Sequence, residues 1–336
     1  MTNRVRLLAV AAALPERSRT SREVEALLCA RNPTLRLKPG TLAAMTGIES
    51  RRVAEDDVQC SDLAADAARR AMASAGVEAS DIDLLIFAAA GQDLIEPATA
   101  HIVQSKLGTN CQVLDVKNAC MSFVNGLQVA EALILTGAAR TALVTTGEIS
   151  SRAIDWKTDG RVALKQNLAA YTMGDAGAAA VLTRSGNGAG IFYRRFAARS
   201  DHWRLATVAC GGSMYPRGDE HTYLRGDGPA LKDAFVNEGA PIFSEMVREA
   251  GVPLAAFARI FVHQVSVPYH LDMLAASGIP ACRVVSTVRE YGNMASASLP
   301  VAFALAVERG EIAHGDRVMW LGMASGISVG VLMMEI

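Results

Sequence analysis

The chain has 336 residues, of which 51% are apolar and 20% charged, with 33 Lys and Arg against 34 Asp and Glu. A charge so close to neutral lacks the phosphate attraction on which nucleic-acid binding rests, and the apolar share is too high for a disordered chain. At on the order of 100–200 residues per domain, the length allows two domains or one large duplicated unit with an ample core.

Near the start, Arg4 and Arg6 precede an apolar run from Leu7 to Leu14 that resembles a secretory signal. Pro15-Glu16-Arg17 is a poor cleavage site, and the run suits a buried first strand better. No apolar run reaches the roughly 18 residues of a membrane span. Neither a membrane nor a nucleic acid is expected as a partner. The six cysteines, Cys29, Cys60, Cys111, Cys120, Cys210 and Cys282, form no CxxC pair and no metal-ligand spacing, so neither a disulfide framework nor a metal site is expected. A cytoplasmic protein with reduced thiols fits these features.

The pattern then alternates between helix and strand, the mark of an α/β protein with mostly parallel sheets. A helix over Ser61 to Ala75 is followed by a strand from Leu84 to Ala90, a helix opened by Cys120 and running to Thr136, and a strand from Leu143 to Thr146. The order recurs later: a helix from Ile242 to Ala250, a strand from Arg259 to His263, a helix opened by Asn293 and running to Arg309, and a strand from Val318 to Gly322. A period of roughly 170 residues indicates duplication of a whole unit, since solenoid repeats are far shorter. On this reading Cys120 and Asn293 occupy matching places. Between the halves, Arg184 to Asp233 is rich in Gly, polar residues and aromatics, and is expected as a lid over a site. The predicted division is residues 1–185, a lid at 186–233, and 234–336.

Cys120 lies where an apolar approach ends and an amphipathic helix begins, so its thiol is expected to face the positive end of the helix dipole, with a lowered pKa and nucleophilic character. His263 closes a strand at the sheet edge where α/β proteins bind ligands. Asn293, between Gly292 and a small-residue helix, reads either as a helix cap or as the third member of a Cys/His/Asn set for acyl transfer. The loop Gly322-Met-Ala-Ser-Gly offers the Gly326 N–H as a partner to the Cys120 N–H in an oxyanion hole. Arg194-Arg195 and Lys157 to Arg161 read as surface charges, with phosphate binding as the other possibility.

These motifs resemble the thiolase-fold condensing enzymes, specifically those like β-ketoacyl-ACP synthase III. The match runs from Met45-Thr-Gly-Ile-Glu-Ser-Arg-Arg through the Cys120 helix and Gly174-Asp-Ala-Gly-Ala-Ala-Ala-Val-Leu to His263-Gln, Gly292-Asn293 and the terminal glycine loop. The resemblance implies a five-layered αβαβα fold, a homodimer and a ping-pong acyl-thioester reaction without a cofactor. Cys120 would receive the acyl group, and His263 and Asn293 would bind the second thioester. Asp93-Leu-Ile-Glu-Pro resembles the corresponding loop of OleA-type thiolases, which implies that Glu96 enters the partner's site as the base. A carboxylate suits a reaction that takes a proton from the carbon beside a thioester, whereas decarboxylation of a malonyl group needs no base.

Val267 stands where the olefin enzymes carry a basic residue, so coenzyme A and acyl carrier protein both stay open as thioester carriers. The expected activity is head-to-head, non-decarboxylative condensation to a β-ketoacyl product, or to an α-pyrone from β-ketoacyl substrates. The alternatives are a decarboxylating synthase or acyltransferase of the same fold, and a non-catalytic partner in a heterodimer.

Overall fold

The computed structural model describes residues 4–158, 160–186 and 188–336, apart from the side chains of residues 161 and 162. Five strands form one sheet: β1 (Val5–Ala13), β2 (Leu84–Ala88), β3 (Gln112–Val116), β4 (Thr141–Glu148) and β5 (Ala176–Arg184), in the order β1-β5-β4-β2-β3. Strand β2 runs parallel to both of its neighbours, and β5 is antiparallel to β4 and β1. A second sheet holds β6 (Gly190–Ala198), β7 (Arg259–Val262), β8 (Arg317–Ala324) and β9 (Ser328–Glu335), in the order β7-β8-β9-β6. Only β7 and β8 are parallel there.

The layers follow from which face each apolar residue serves. β2 is buried throughout, as a strand covered on both faces must be. Leu84, Ile86 and Ala88 join a central core, while Leu85, Phe87 and Ala89 join an outer one. In β8, Val318 and Trp320 face that same central core, and Met319, Leu321 and Met323 face a third. Helices α1 (Cys60–Ala75) and α2 (Thr99–Leu107) cover the first sheet from outside, and α4 (Ala240–Ala250) and α5 (Val267–Ser277) cover the second. Between the sheets lie α3 (Ser122–Thr136) and α6 (Ser298–Glu308), which makes the five layers αβαβα. Phe123, Phe261, Phe303 and Trp320 bind the central layer together, with ring centroids 5.4–6.2 Å apart. Each such buried aromatic contributes about 1.5–3 kcal/mol.

The stretch Ala119–Thr136 has the length and composition of a membrane span, but half of it is buried inside the protein, where it forms the core helix α3. The expected lid also divides. Gly190–Ala198 is strand β6, paired antiparallel with β9, so the second half begins there and not at residue 234. Its aromatic residues Phe192 and Tyr193 pack against the third core, on the outside of the second sheet. The remainder, from Arg199 to Asp227, forms short turns and a two-residue strand pair at the surface.

The duplication is exact enough to align single residues. Asn118 N donates to Ser122 Oγ at 2.8 Å, and Met294 N donates to Ser298 Oγ at 3.2 Å. Ala119 and Ala295 follow with φ of 46° and 47°, the positive-φ residues other than glycine among those described. The match therefore pairs Cys120 with Ser296. Asn293 lies three positions earlier, because α6 starts at Ser298, after a turn over Ala295–Ala297.

Candidate active site

Cys120 sits between β3 and α3, in the loop held by the Asn118 and Ser122 bond. The residue keeps some surface, yet protein packs around its thiol. Burial and then the Glu148 carboxylate push the thiol up to about 12. A backbone N–H pulls the other way and loses. The direction is thus opposite to the expected lowering: Cys120 lies two residues before the first residue of α3, and burial raises the thiol.

Glu148, which the sequence reading missed, ends β4 and is 1% exposed. It accepts hydrogen bonds from Ala90 N (2.7 Å), Gly91 N (3.0 Å), Ser296 N (3.4 Å) and the Ser296 hydroxyl. Thr146 Oγ1 lies 2.7 Å from Ser296 Oγ. Burial raises the Glu148 carboxyl, and the hydrogen bonds oppose this. The group joins the ends of β2 and β4 to the loop of the second half, near enough to Cys120 for its charge to raise the thiol. Its signal in the sequence is slight, a lone Glu after an apolar strand.

His263 follows β7 and donates its backbone N–H to Leu321 O at 3.0 Å. It is 3% exposed, and its Nδ1 has no partner among the described residues. Burial and then His270 lower its pKa to about 4, and burial does the same to His270. His270 Nδ1 is also buried without a partner. Both imidazoles are therefore neutral near pH 7. Tyr269, beside His270 on α5, has its hydroxyl raised by burial and then by Cys120, and its ring meets Phe235 edge-on at 6.3 Å. Through Tyr269 and His270 the nucleophile and His263 share one buried neighbourhood.

Asn293 is 3% exposed and is held by backbone bonds on both sides: its N–H donates to Thr172 O (2.9 Å) and Gly174 N donates to its carbonyl (3.0 Å). Its Oδ1 accepts from Ala295 N at 3.0 Å, and its Nδ2 makes no hydrogen bond among the described residues. That leaves the amide donor available for a ligand. Gln264, 2% exposed, ties this loop to His263: its Nε2 donates to Val285 O (2.7 Å), and its Oε1 accepts from Thr287 N and Val288 N (3.0 and 3.1 Å).

Gly326 lies in the β8–β9 turn with φ of 138°, a conformation costly for any residue with a side chain. Glu96 stands apart from the other predicted residues. Its loop is pinned at both ends, by Ser61 N to Asp93 (3.1 Å) and by Thr99 N and Ala100 N to Asp115 (2.9 Å each). Between those anchors Leu94, Ile95 and Glu96 project outward, with Leu94 52% and Ile95 67% exposed. Glu96 makes no hydrogen bond or ion pair among the described residues. Val267 packs on Gly47, whose Cβ would lie 2.4 Å from that of Val267. Arg194 and Arg195 pair with Glu131 (3.3 Å) and Glu249 (3.1 Å), while Asp159 and the side chain of Arg161 lie outside the described residues.

The chain is similar to known acyl condensing enzymes. The 3-oxoacyl-[acyl-carrier-protein (ACP)] synthase III family matches residues 114–201, and its C-terminal domain matches 247–336. A β-ketoacyl-[acyl-carrier-protein] synthase III of Neisseria meningitidis is 33% identical over 300 residues, covering 88% of this chain and 89% of its own. That of Bordetella petrii is 34% identical over 319 residues, covering 94% and 93%. A cysteine-to-serine variant of Xanthomonas campestris OleA, solved with lauric acid and lauroyl-CoA, superposes with a TM-score of 0.89 at 27% identity, over 100% of both chains. The chain belongs to the 3-oxoacyl-[acyl-carrier-protein] synthase III family, as a thiolase-fold condensing enzyme close in structure to OleA.

Proposed function

We propose that the enzyme joins two acyl thioesters without decarboxylation, through an acyl group on Cys120. In this reaction the Cys120 sulfur attacks the first thioester carbonyl, and the carrier thiol leaves with the proton that the cysteine gives up. With the thiol at about 12 and His263 at about 4, both groups are neutral at rest. The proton must then move as the carbon–sulfur bond forms. The Cys120 and Gly326 N–H groups bind the oxyanion. His263 and Asn293 then donate to the second thioester oxygen, a base removes a proton from the adjacent carbon, and the resulting enolate attacks the acyl-Cys120 carbonyl, breaking the acyl–sulfur bond so that the Cys120 sulfur leaves and takes back the proton held by the base. The product is a β-ketoacyl thioester, or an α-pyrone where the substrates already carry a β-keto group.

The base is Glu96 of a second copy of the chain. The observation that carries this is the outward projection of Glu96 beside Leu94 and Ile95 on a loop anchored at both ends, with no partner in its own chain. Exposed apolar residues next to a carboxylate suit a surface covered by a partner, where loss of water would make the carboxylate a stronger base. Both coenzyme A and acyl carrier protein are candidate carriers. The lauroyl-CoA of the OleA structure favours the first, and the synthase III relatives favour the second. Those relatives also support the alternative reading, a decarboxylating synthase.

The test is Glu96→Ala assayed with two non-malonyl acyl thioesters. Condensation is expected to fall at least about a hundredfold, the worth of a general base, while acylation of Cys120 persists. Retained condensation overturns Glu96 as the base, and a wild-type protein that condenses only with a malonyl thioester overturns the non-decarboxylative reading.

A further inference from the structure

Met121, the residue after the nucleophile, is 1% exposed, and its side chain runs from the start of α3 to the second sheet. It meets that sheet where two facing positions carry no side chain, since Gly322 and Gly330 are direct cross-strand partners in β8 and β9. A Cβ on Gly322 would stand 3.2 Å from Met121 Cγ, and one on Gly330 would stand 2.6 Å from Met121 Cε. Phe196 of β6 closes the far side, 2.6 Å from that second position. Carbon atoms settle at about 3.5–4.0 Å. The methionine therefore fills a slot that exists because both strands carry glycine.

The duplicate contact in the first half has the opposite distribution of volume. Ala297, the counterpart of Met121, belongs to the same buried cluster as Ala178, and Ala178 pairs with Thr146 across β5 and β4. There the strands carry the side chains and the helix start is small. Only the half with the nucleophile places a long side chain on the helix start and grips both arms of a hairpin. The tip of that hairpin holds Gly326, between β8 and β9.

We infer that Met121 is the positioning residue that sets the separation of the Cys120 and Gly326 N–H groups, and so the fit of the oxyanion hole. The inference rests on the acyl-Cys120 reading above. A misplacement of about 1 Å in such a site costs on the order of a hundredfold in rate. With an alanine at position 121, the hairpin loses the contact that spans both of its arms and keeps Val124 against Gly322.

The test compares two reactions of the same sulfur. Acylation by a panel of saturated acyl-CoA thioesters, lauroyl-CoA included, passes through an oxyanion, and is followed by quenched-flow intact mass spectrometry. Alkylation by iodoacetamide is displacement at a saturated carbon and develops no oxyanion. Met121→Ala is expected to lower acylation at least tenfold, with alkylation within twofold of wild type and KM for the thioester nearly unchanged. Met121→Leu, which refills the slot, restores most of the rate. Gly322→Ala, which crowds Met121, lowers acylation in the same selective way, and Met121→Ala combined with Gly322→Ala recovers part of the loss. Acylation by Met121→Ala at the wild-type rate, or equal losses of acylation and alkylation, overturns the inference. If Met121→Ala fails to fold, Gly322→Ala and Met121→Leu decide it by the same ratio. A wild-type chain that no acyl thioester loads overturns the acyl-enzyme reading and this inference together, whereas loading in wild type with no selective loss in the variants overturns this inference alone.

Discussion

Ser296 is the duplicate of Cys120, and it donates a hydrogen bond to Glu148, the carboxyl group whose charge raises the Cys120 thiol. The two halves thus meet at Glu148, which is bonded to Ser296 of one half and acts electrostatically on Cys120 of the other. Of the two matching positions, one carries the thiol proposed to react and the other carries a hydroxyl bonded to Glu148.

Ser296→Ala tests that bond. It removes the hydroxyl bond to Glu148 and the contact with Thr146, leaving a buried carboxyl with backbone donors alone. Losing one partner of a buried charged group costs about 1.5–3 kcal/mol. Urea unfolding is expected to show a loss of that size with the slope unchanged, and a loss below about 0.5 kcal/mol would show that the hydroxyl contributes little.

The state of the Cys120 thiol can be read directly. With its pKa pushed up to about 12, alkylation by iodoacetamide should keep rising with pH and show no plateau below pH 10. Replacing Glu148 by Gln removes the second-largest cause of that shift and should raise the alkylation rate at pH 9. A plateau near pH 7 in the wild type would mean a stabilised thiolate at rest.

His263 and His270 make the protein sensitive to acid. Both have pKa values near 4 in the folded chain, below the ordinary 6.5. As pH falls below 6.5 the unfolded chain takes up protons that the folded chain refuses, so folding stability drops until about pH 4. The loss is about 2 kcal/mol for each imidazole at pH 5. Unfolding free energies measured at pH 7 and pH 5 should differ accordingly, and His270→Leu should remove about half of that difference. A pH-independent unfolding free energy in this window would mean that one or both imidazoles stay accessible to protons.

What the sequence alone determined was local and ordered along the chain. The alternation of helix and strand, the α/β duplication, and the positions of Cys120, His263, Asn293 and Gly326 all rest on short-range signals: apolar period, strand ends, and glycine next to a polar residue. Continuous burial of β2 was legible because a strand covered on both faces has no polar alternation. Only the tertiary structure decided which residues sit behind these groups. The burial that reverses the expected shift of Cys120 comes from segments far apart in the chain, and Glu148 acts by lying beside it in space. The pairing of Cys120 with Ser296 depends on two hydroxyl bonds and two positive φ angles, which leave no mark in residue spacing. The slot for Met121 requires Gly322 and Gly330 to face each other, and that is set by the register of β8 with β9. Period and spacing constrain neighbours along one chain segment, whereas desolvation, charge and close packing depend on distance in three dimensions.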